Sequence, residues 1–256
     1  MSVTLNNPPT SLDEVIQRLS EIIEQAKQTS SRIGYFAALY WKMTNRVKAG
    51  IVGGSFADGP RMERLSVCFA LRYLTAWQQY PDAKADMTQS WRFAFDCTGH
   101  VRPIILQHLV LGIHTHINLD LGIAVAETVS VGELPGLKGD YDLINDILRK
   151  LLREIQEDIA SVSPAIAWLD RIGARTLDEF IHFSLTVARA EAWNAAERLT
   201  LLSGEARQKE IARMDNSTLE FANGIRHPGW LFAPVMLWVR LWEQTPIPEV
   251  IERLTD

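Results

Sequence analysis

The sequence predicts an all-α protein: a single-domain helical bundle of roughly eight to ten helices around a buried central helix. Apolar residues recur at three- and four-residue intervals over most of the chain, and no stretch alternates apolar and polar residues long enough to indicate a strand. No internal repeat or low-complexity tract interrupts this pattern. We therefore expect residues 1–256 to form one domain, with residues 1–10 as an N-terminal tail.

The composition is that of an ordinary globular protein, since 47% of the 256 residues are hydrophobic and 22% are charged. A net charge of −5 without a basic run argues against nucleic acid or an anionic membrane as a partner. The N-terminus lacks the basic and apolar regions of a secretory signal. Cys68 and Cys97 lie in apolar segments and form no metal-type pair, so we expect reduced thiols in a cytoplasmic protein.

Capping residues mark the starts of the first helices. Ser11 and Glu14 form a capping box ahead of the first helix. A second helix is expected over 32–47, and a glycine-rich loop then leads to Asp58 and Pro60, which favour a helix start. Further helices are expected over 88–98, 102–129, 141–161, 164–173, 176–202 and 204–221. A nearly uncharged run follows at 231–242, and Pro246 opens a last short turn or helix.

The chain is organised around Pro103–Ala126, an apolar segment that carries three histidines, an asparagine and an aspartate. It is long enough to span a membrane. Seven of its residues are polar, however, and an aspartate at the centre of a spanning helix costs about 2.5–3.5 kcal/mol on insertion. We therefore interpret the segment as the central helix of a soluble bundle.

Polar residues on this helix form a stripe at four-residue spacing, which places them on one side of an α-helix. Buried polar groups without partners cost about 1–3 kcal/mol each, so these side chains need either a metal ion or other side chains. His114 and Asn118 lie on the opposite side, where structural roles are expected. The stripe consists of His108, Gly112, His116 and Asp120, with Gly112 leaving room beside the histidines.

The stripe suggests a metal site, because imidazole and carboxylate groups at this spacing point the same way and are ligands of iron, manganese or zinc. Glu63 is added because a helical wheel places it on an apolar face, where a carboxylate needs a partner. The predicted metal ligands are Glu63, His108, His116, Asp120 and His182, with Glu191 as a further candidate. The predicted catalytic residues are Glu63, Arg61, His116 and Asp120.

Such a site predicts an enzyme that oxidises or hydrolyses a small, partly apolar molecule with a divalent metal ion as its cofactor. A homo-oligomer is compatible with the sequence. Two alternatives stay open. One is a non-catalytic binding or scaffold protein with a hydrogen-bonded polar core, in which Asp120 orients His116 or caps an arginine. The other is a metal-independent acid/base enzyme.

Two segments, GSFADGPRMERL at 54–65 and QHLVLGIHTHINLDLGIA at 107–124, resemble a bacterial protein family of unknown function. That resemblance implies no activity. The histidine and aspartate spacing also loosely resembles helical zinc phospholipases and nucleases, which use an N-terminal tryptophan ligand and more histidines. It is similar to helical di-iron oxidases of the haem-oxygenase-like kind as well, without their ligand order. The family resemblance implies that Asp58, Arg61, Glu63, His116, Asn118 and Asp120 belong to shared motifs.

Overall fold

The structure, a computed structural model, describes residues 7–82, 86–163, 185–227, 229–230 and 233–256. Within these ranges the chain is all-helical and contains no strand, which confirms the predicted helical bundle. The predicted helix over 164–173 and His182 lie outside them. The helices are α1 (Leu12–Gln28), α2 (Ile33–Val52), α3 (Gly59–Gln79), α4 (Gln89–Thr98), α5 (Ile105–Thr128), α6 (Leu134–Val162), α7 (described over 185–200), α8 (Gly204–Arg226), α9 (Ala233–Trp242) and α10 (Ile247–Thr255).

Capping side chains begin α1 and α3 where the sequence predicted. The Ser11 hydroxyl accepts a hydrogen bond from the Glu14 amide at 3.3 Å, and the Asp58 carboxylate accepts one from the Arg61 amide at 2.9 Å. Each satisfies an amide that has no acceptor within the first helical turn. The Glu14 carboxylate departs from the predicted capping box, because it accepts from the amide of Thr10 at 2.7 Å.

Three helices are longer than the sequence indicated, among them α8, which continues to Arg226. α2 continues to Val52, and α6 already begins at Leu134, inside a stretch that was expected to be a loop. Ile51 packs against the core, and Leu134 and Leu137 are buried. Burial of these side chains outweighs the weak helix propensity of the nearby glycines, and Pro135 fits in the first turn of α6.

α5 is the central helix of the bundle and packs against α2, α3, α4 and α8. By length and composition it could cross a membrane, but 72% of its apolar window is buried inside the bundle. Leu109, Leu119 and Ile123 are among its core residues. The predicted central helix is confirmed, whereas the cytoplasmic location, the oligomeric state and the excluded partners stay predictions.

Two glycines allow neighbouring helices to approach α5 closely. A Cβ atom on Gly112 would lie 2.5 Å from the ring of Phe36 on α2. One on Gly122 would lie 2.8 Å from the carbonyl oxygen of Ala192 on α7. The space beside Gly112, which the sequence analysis expected to be left open beside the histidines, is therefore filled by Phe36.

We expect Gly122→Ala to lower the free energy of unfolding by about 1–3 kcal/mol, because the added methyl group meets backbone that cannot rotate away. Gly224→Ala is the matched control, since Gly224 also lies within a helix and a Cβ there meets nothing within 4 Å. This control should leave stability unchanged or raise it by about 0.5–1 kcal/mol. Urea denaturation measures both, and equal stability of the two variants would contradict the close approach of α7.

Candidate functional site

Asp120 is a buried carboxylate at the centre of the bundle and is only 1% exposed. Its Oδ1 accepts a hydrogen bond from Nε of Arg72 at 2.9 Å. Its Oδ2 accepts one from Nε1 of Trp91 at 2.8 Å and lies 2.9 Å from Nδ1 of His116. These donors come from α3, α4 and α5, so one carboxylate links three helices.

The charge state of this group follows from its partners. Burial raises the pKa of Asp120, but the hydrogen bond from His116 and the charge of Arg72 outweigh burial and hold that pKa below its usual value. Burial lowers the pKa of His116, and the Asp120 carboxylate only partly opposes this. Asp120 is therefore ionised and His116 neutral near pH 7. Because an ionised carboxylate only accepts hydrogen bonds, Nδ1 of His116 carries the proton and Nε2 keeps its lone pair.

The helix that carries this pair is irregular at the site. Residues His116–Leu121 form a π-helical turn inside α5, between α-helical segments on either side. Such turns are rare and occur frequently at functional sites. The sequence analysis assumed a regular α-helix throughout and therefore missed this feature, for which the residue pattern offers no clear signal.

Aromatic rings enclose His116. Its ring stacks on Phe69 with 3.6 Å between ring centroids, and Tyr40 meets it edge-on at 4.6 Å. Nε2 of His116 is buried and has no hydrogen-bond partner among the described residues. The imidazole is thus held on one side by a carboxylate and on the others by apolar rings, with one nitrogen unpaired.

His116 also lies in the wall of a cavity of about 100 Å³ between α2, α3, α5, α6 and α7. Two hydroxyl groups in this wall bond within their own helices: Thr44 donates to the carbonyl of Tyr40 at 2.7 Å, and Ser66 to that of Met62 at 2.8 Å. Of the buried side-chain polar atoms that lack partners in the described ranges, only Nε2 of His116 belongs to a residue of this wall. Apolar members of the wall include Phe36, Leu39, Met43, Leu65, Ile113, Ile117 and Ile144.

A buried arginine closes another part of the same wall. Nη2 of Arg189 donates to the carbonyl of Tyr141 at 2.6 Å, and its Nε donates to the side chain of Asn145 at 2.5 Å. The guanidinium also lies over the Tyr141 ring, 4.3 Å from its centroid. These bonds hold Arg189 against α6, so it belongs to the packing of the cavity wall.

Two predicted ligands lie away from this pair. Oε1 of Glu63 accepts a hydrogen bond from the amide of Leu12 at 3.3 Å and so caps α1. His108 precedes His116 by two i,i+4 steps, about 12 Å along a helix, and lines a different cavity. Among the described residues, no group of three or more histidine, cysteine or acidic side chains is placed to hold a metal ion. The structure therefore does not bring the described members of the predicted ligand set together at one point, and metal binding stays a prediction.

Arg61, predicted as catalytic, belongs to a network that fixes the loop before α3. Its Nη2 donates to the carbonyl of Gly136 at 2.7 Å and lies 3.6 Å from the carboxylate of Asp140. Asp140 in turn accepts from the amides of Ala57 and Asp58 at 2.7 and 3.0 Å. Sequence analysis missed Asp140, because nothing in its local pattern distinguishes it from the surface acids of α6.

The other face of α5 has the structural role that the sequence indicated. Nε2 of His114 lies 3.1 Å from the carbonyl oxygen of Thr218, and Asn118 bonds to Nδ1 of His114 at 2.8 Å. The imidazole stacks on Phe221, with 4.4 Å between ring centroids. Burial lowers the pKa of His114 to about 4. Glu191, the further ligand candidate, is exposed on α7.

Comparison with known proteins gives a family and no activity. Residues 12–228 match the sequence profile of a family of unknown function, DUF5995. No curated protein and no solved structure shows a significant match. The matched range includes Asp120, His116 and the segments at 54–65 and 107–124, on which the resemblance to a family of unknown function rested.

We expect His116 to be the neutral tautomer with its proton on Nδ1 and to stay neutral as the pH falls through 6.5, its ordinary pKa. Long-range ¹H–¹⁵N correlation spectra distinguish the two tautomers, and a His116→Gln variant assigns the signal. A proton on Nε2, or titration at the ordinary pKa, would contradict the arrangement described above.

Asp120→Ala should lower the free energy of unfolding by about 3–5 kcal/mol at pH 7, since it leaves the buried donors of Trp91 and His116 without an acceptor and the partly buried Arg72 without its partner. Asp142→Ala is the control, because Asp142 pairs with Lys138 and both side chains are about half exposed. This change should cost no more than about 1 kcal/mol. Urea denaturation gives both values, and a similar loss in the two variants would show that the buried carboxylate does not link the helices.

Proposed function

We propose that this protein, which belongs to the DUF5995 family of unknown function, binds a small, mainly apolar molecule that carries one hydrogen-bond donor. His116 accepts the hydrogen bond or the proton of that donor. The observation that supports this proposal is the unpaired, buried Nε2 of His116 in the wall of an apolar cavity. An unsatisfied buried polar atom costs about 1–3 kcal/mol, which a donor on the ligand recovers.

The cavity supports the proposed size and polarity of the ligand. Its volume is about 100 Å³, and apolar cavities of about 150 Å³ in other proteins bind benzene. A five-membered ring or a branched aliphatic group of similar size matches this space. Met43 and Met62 in the wall are flexible side chains that adapt to ligands of different shape.

The pair of Asp120 and His116 supports a role in proton transfer. A carboxylate that holds Nδ1–H fixes the orientation of the imidazole and directs Nε2 to act as the acceptor, as in sites of general base catalysis. Arg72 and Trp91 hold the carboxylate in turn. Burial disfavours the protonated imidazole, so the arrangement suits transient acceptance of a proton from an acidic O–H, N–H or C–H group.

This proposal is the metal-independent alternative that the sequence left open. A protein-bound zinc ion usually has three or four protein ligands. The described residues of the cavity wall include no acidic side chain, no cysteine and no histidine besides His116. The carboxylate of Asp120 is already occupied by three donors. Acid/base chemistry therefore has more support in the described residues than oxidation or hydrolysis at a metal.

Pyrrole and furan test the proposal, because the two rings have nearly the same size and only pyrrole has an N–H donor. We expect the wild-type protein to bind pyrrole about tenfold more tightly than furan, which corresponds to one hydrogen bond of about 1.4 kcal/mol. NMR titration measures both affinities from the methyl signals of Met43 and Met62 and from the ¹⁵N shift of His116 Nε2.

His116→Phe keeps an aromatic ring against Phe69 but removes Nε2, so this variant should bind the two rings with similar affinity. Leu65→Trp fills the cavity and should abolish both interactions. Thr44→Val is the control in the wall, because the hydroxyl of Thr44 is already used within α2, and it should keep the preference for pyrrole. Equal affinities in the wild type, or a pyrrole preference that survives in His116→Phe, would contradict the proposal.

A further inference from the structure

A second cavity, of about 30 Å³, lies at the N-terminal end of α5, between α2, α9 and the start of α10. It shares no residue with the wall of the His116 cavity. One water molecule needs about 10–15 Å³ of such space. The cavity therefore has room for two water molecules or for one small ion.

His108 lines this cavity and has no function in the site described above. It is 5% exposed, and neither ring nitrogen has a hydrogen-bond partner among the described residues. Burial lowers the pKa of His108 to about 3; the carbonyl of Pro103 opposes this shift but does not form a hydrogen bond of good geometry. The imidazole is therefore neutral, with one N–H donor that lacks a regular acceptor.

Two arginines line the same cavity. Arg32 donates to the carbonyl of Thr98 at 3.3 Å, and Arg240 donates to the main-chain carbonyl of Glu243 at 2.6 Å. Within the described part of the chain, neither guanidinium lies within 4.0 Å of a carboxylate oxygen. Both charges are thus held at the cavity by neutral carbonyls and remain available to an anion.

Glu243 is the acidic residue of the wall. Its carboxylate accepts from the amide of Ile105 at 3.0 and 3.2 Å, which caps α5, and from the hydroxyl of Ser163 at 3.3 Å. With two guanidinium groups and at most one carboxylate charge, the wall is positively charged at any pH near neutrality.

We propose that this cavity binds a small inorganic monovalent anion of the size of chloride. Arg32 and Arg240 supply the charge, and the N–H of His108 supplies a buried donor. Tyr35, whose ring meets that of His108 at 6.0 Å, is a further donor, since burial raises the pKa of its hydroxyl to about 12. The bound anion joins the start of α2, α5 and α9.

Binding should depend on pH through Glu243, because burial raises the pKa of its carboxyl to about 7. Below this pKa the group is neutral, and above it the carboxylate repels the anion. Affinity should therefore fall by about tenfold or more as the pH rises from about 6 to about 8. The other titratable groups of this cavity wall are Arg32 just before α2, Tyr35 on α2, His108 on α5 and Arg240 on α9, and Arg226 on α8 acts on His108. Burial raises the pKa of Tyr35 to about 12 and lowers that of His108 to about 3, so neither group changes its charge between about pH 6 and about pH 8.

Thermal unfolding in sodium chloride, sodium bromide or sodium gluconate at one ionic strength tests the proposal. We expect both halides, but not the larger gluconate, to raise the midpoint of thermal unfolding, and this rise should level off as the halide concentration saturates the site. Crystals grown in bromide should show an anomalous peak between the side chains of Arg32, Arg240 and His108. Equal midpoints in the three salts, or only water in the cavity, would overturn the proposal.

Variants separate a specific site from a general effect of salt. Arg32→Gln and Arg240→Gln should each remove most of the difference in unfolding midpoint between halide and gluconate. This should hold even if the substitution itself lowers the midpoint in every salt. Arg213→Gln, which changes an exposed arginine paired with Glu210, should keep that difference. Glu243→Gln should keep halide binding and lose its pH dependence. A halide effect that is unchanged in both cavity variants would overturn the proposal.

Discussion

The hydrogen bonds to the Asp120 carboxylate are the interaction on which the interior of this protein depends. Moving a carboxylate out of water costs several kcal/mol, which only well-placed donors offset. Arg72, Trp91 and His116 provide these donors from three different helices. The same bonds that make the burial of Asp120 tolerable also hold α3, α4 and α5 in register and orient the imidazole. The unpaired Nε2 of His116 is a direct consequence of this arrangement.

α5 joins two chemically different cavities through two histidines. Burial keeps both imidazoles neutral, but the charged groups beside them have opposite signs. His116 is paired with a carboxylate and lies at an apolar cavity, where its free nitrogen is an acceptor. His108 lies beside Arg32 and Arg240 at a small cationic cavity, where its N–H can donate a hydrogen bond to an anion. One helix therefore carries a hydrogen-bond acceptor, Nε2 of His116, at one cavity and a hydrogen-bond donor, the N–H of His108, at the other.

The motif residues at the start of α3 make contacts that support the fold. Asp58 caps α3, and Arg61 bonds to the carbonyl of Gly136. Glu63 caps α1 through the amide of Leu12. All three are polar groups that satisfy main-chain atoms or hold a loop, and none lines the His116 cavity. A compact cluster of polar residues in sequence is therefore compatible with a purely structural role, because buried loops and helix ends need such partners as well.

The sequence by itself determined the all-α class, the buried central helix and the helix starts at Ser11 and Asp58, because periodicity and capping act over a few neighbouring residues. It also places His108 and His116 eight residues, or about 12 Å, apart along one helix, and in the structure they line two different cavities. Only the tertiary structure decided that Arg72 and Trp91 meet Asp120, that a π-turn carries the pair, and that Phe36 fills the space beside Gly112. These features depend on how distant helices pack, and local sequence patterns do not encode which side chains meet across them.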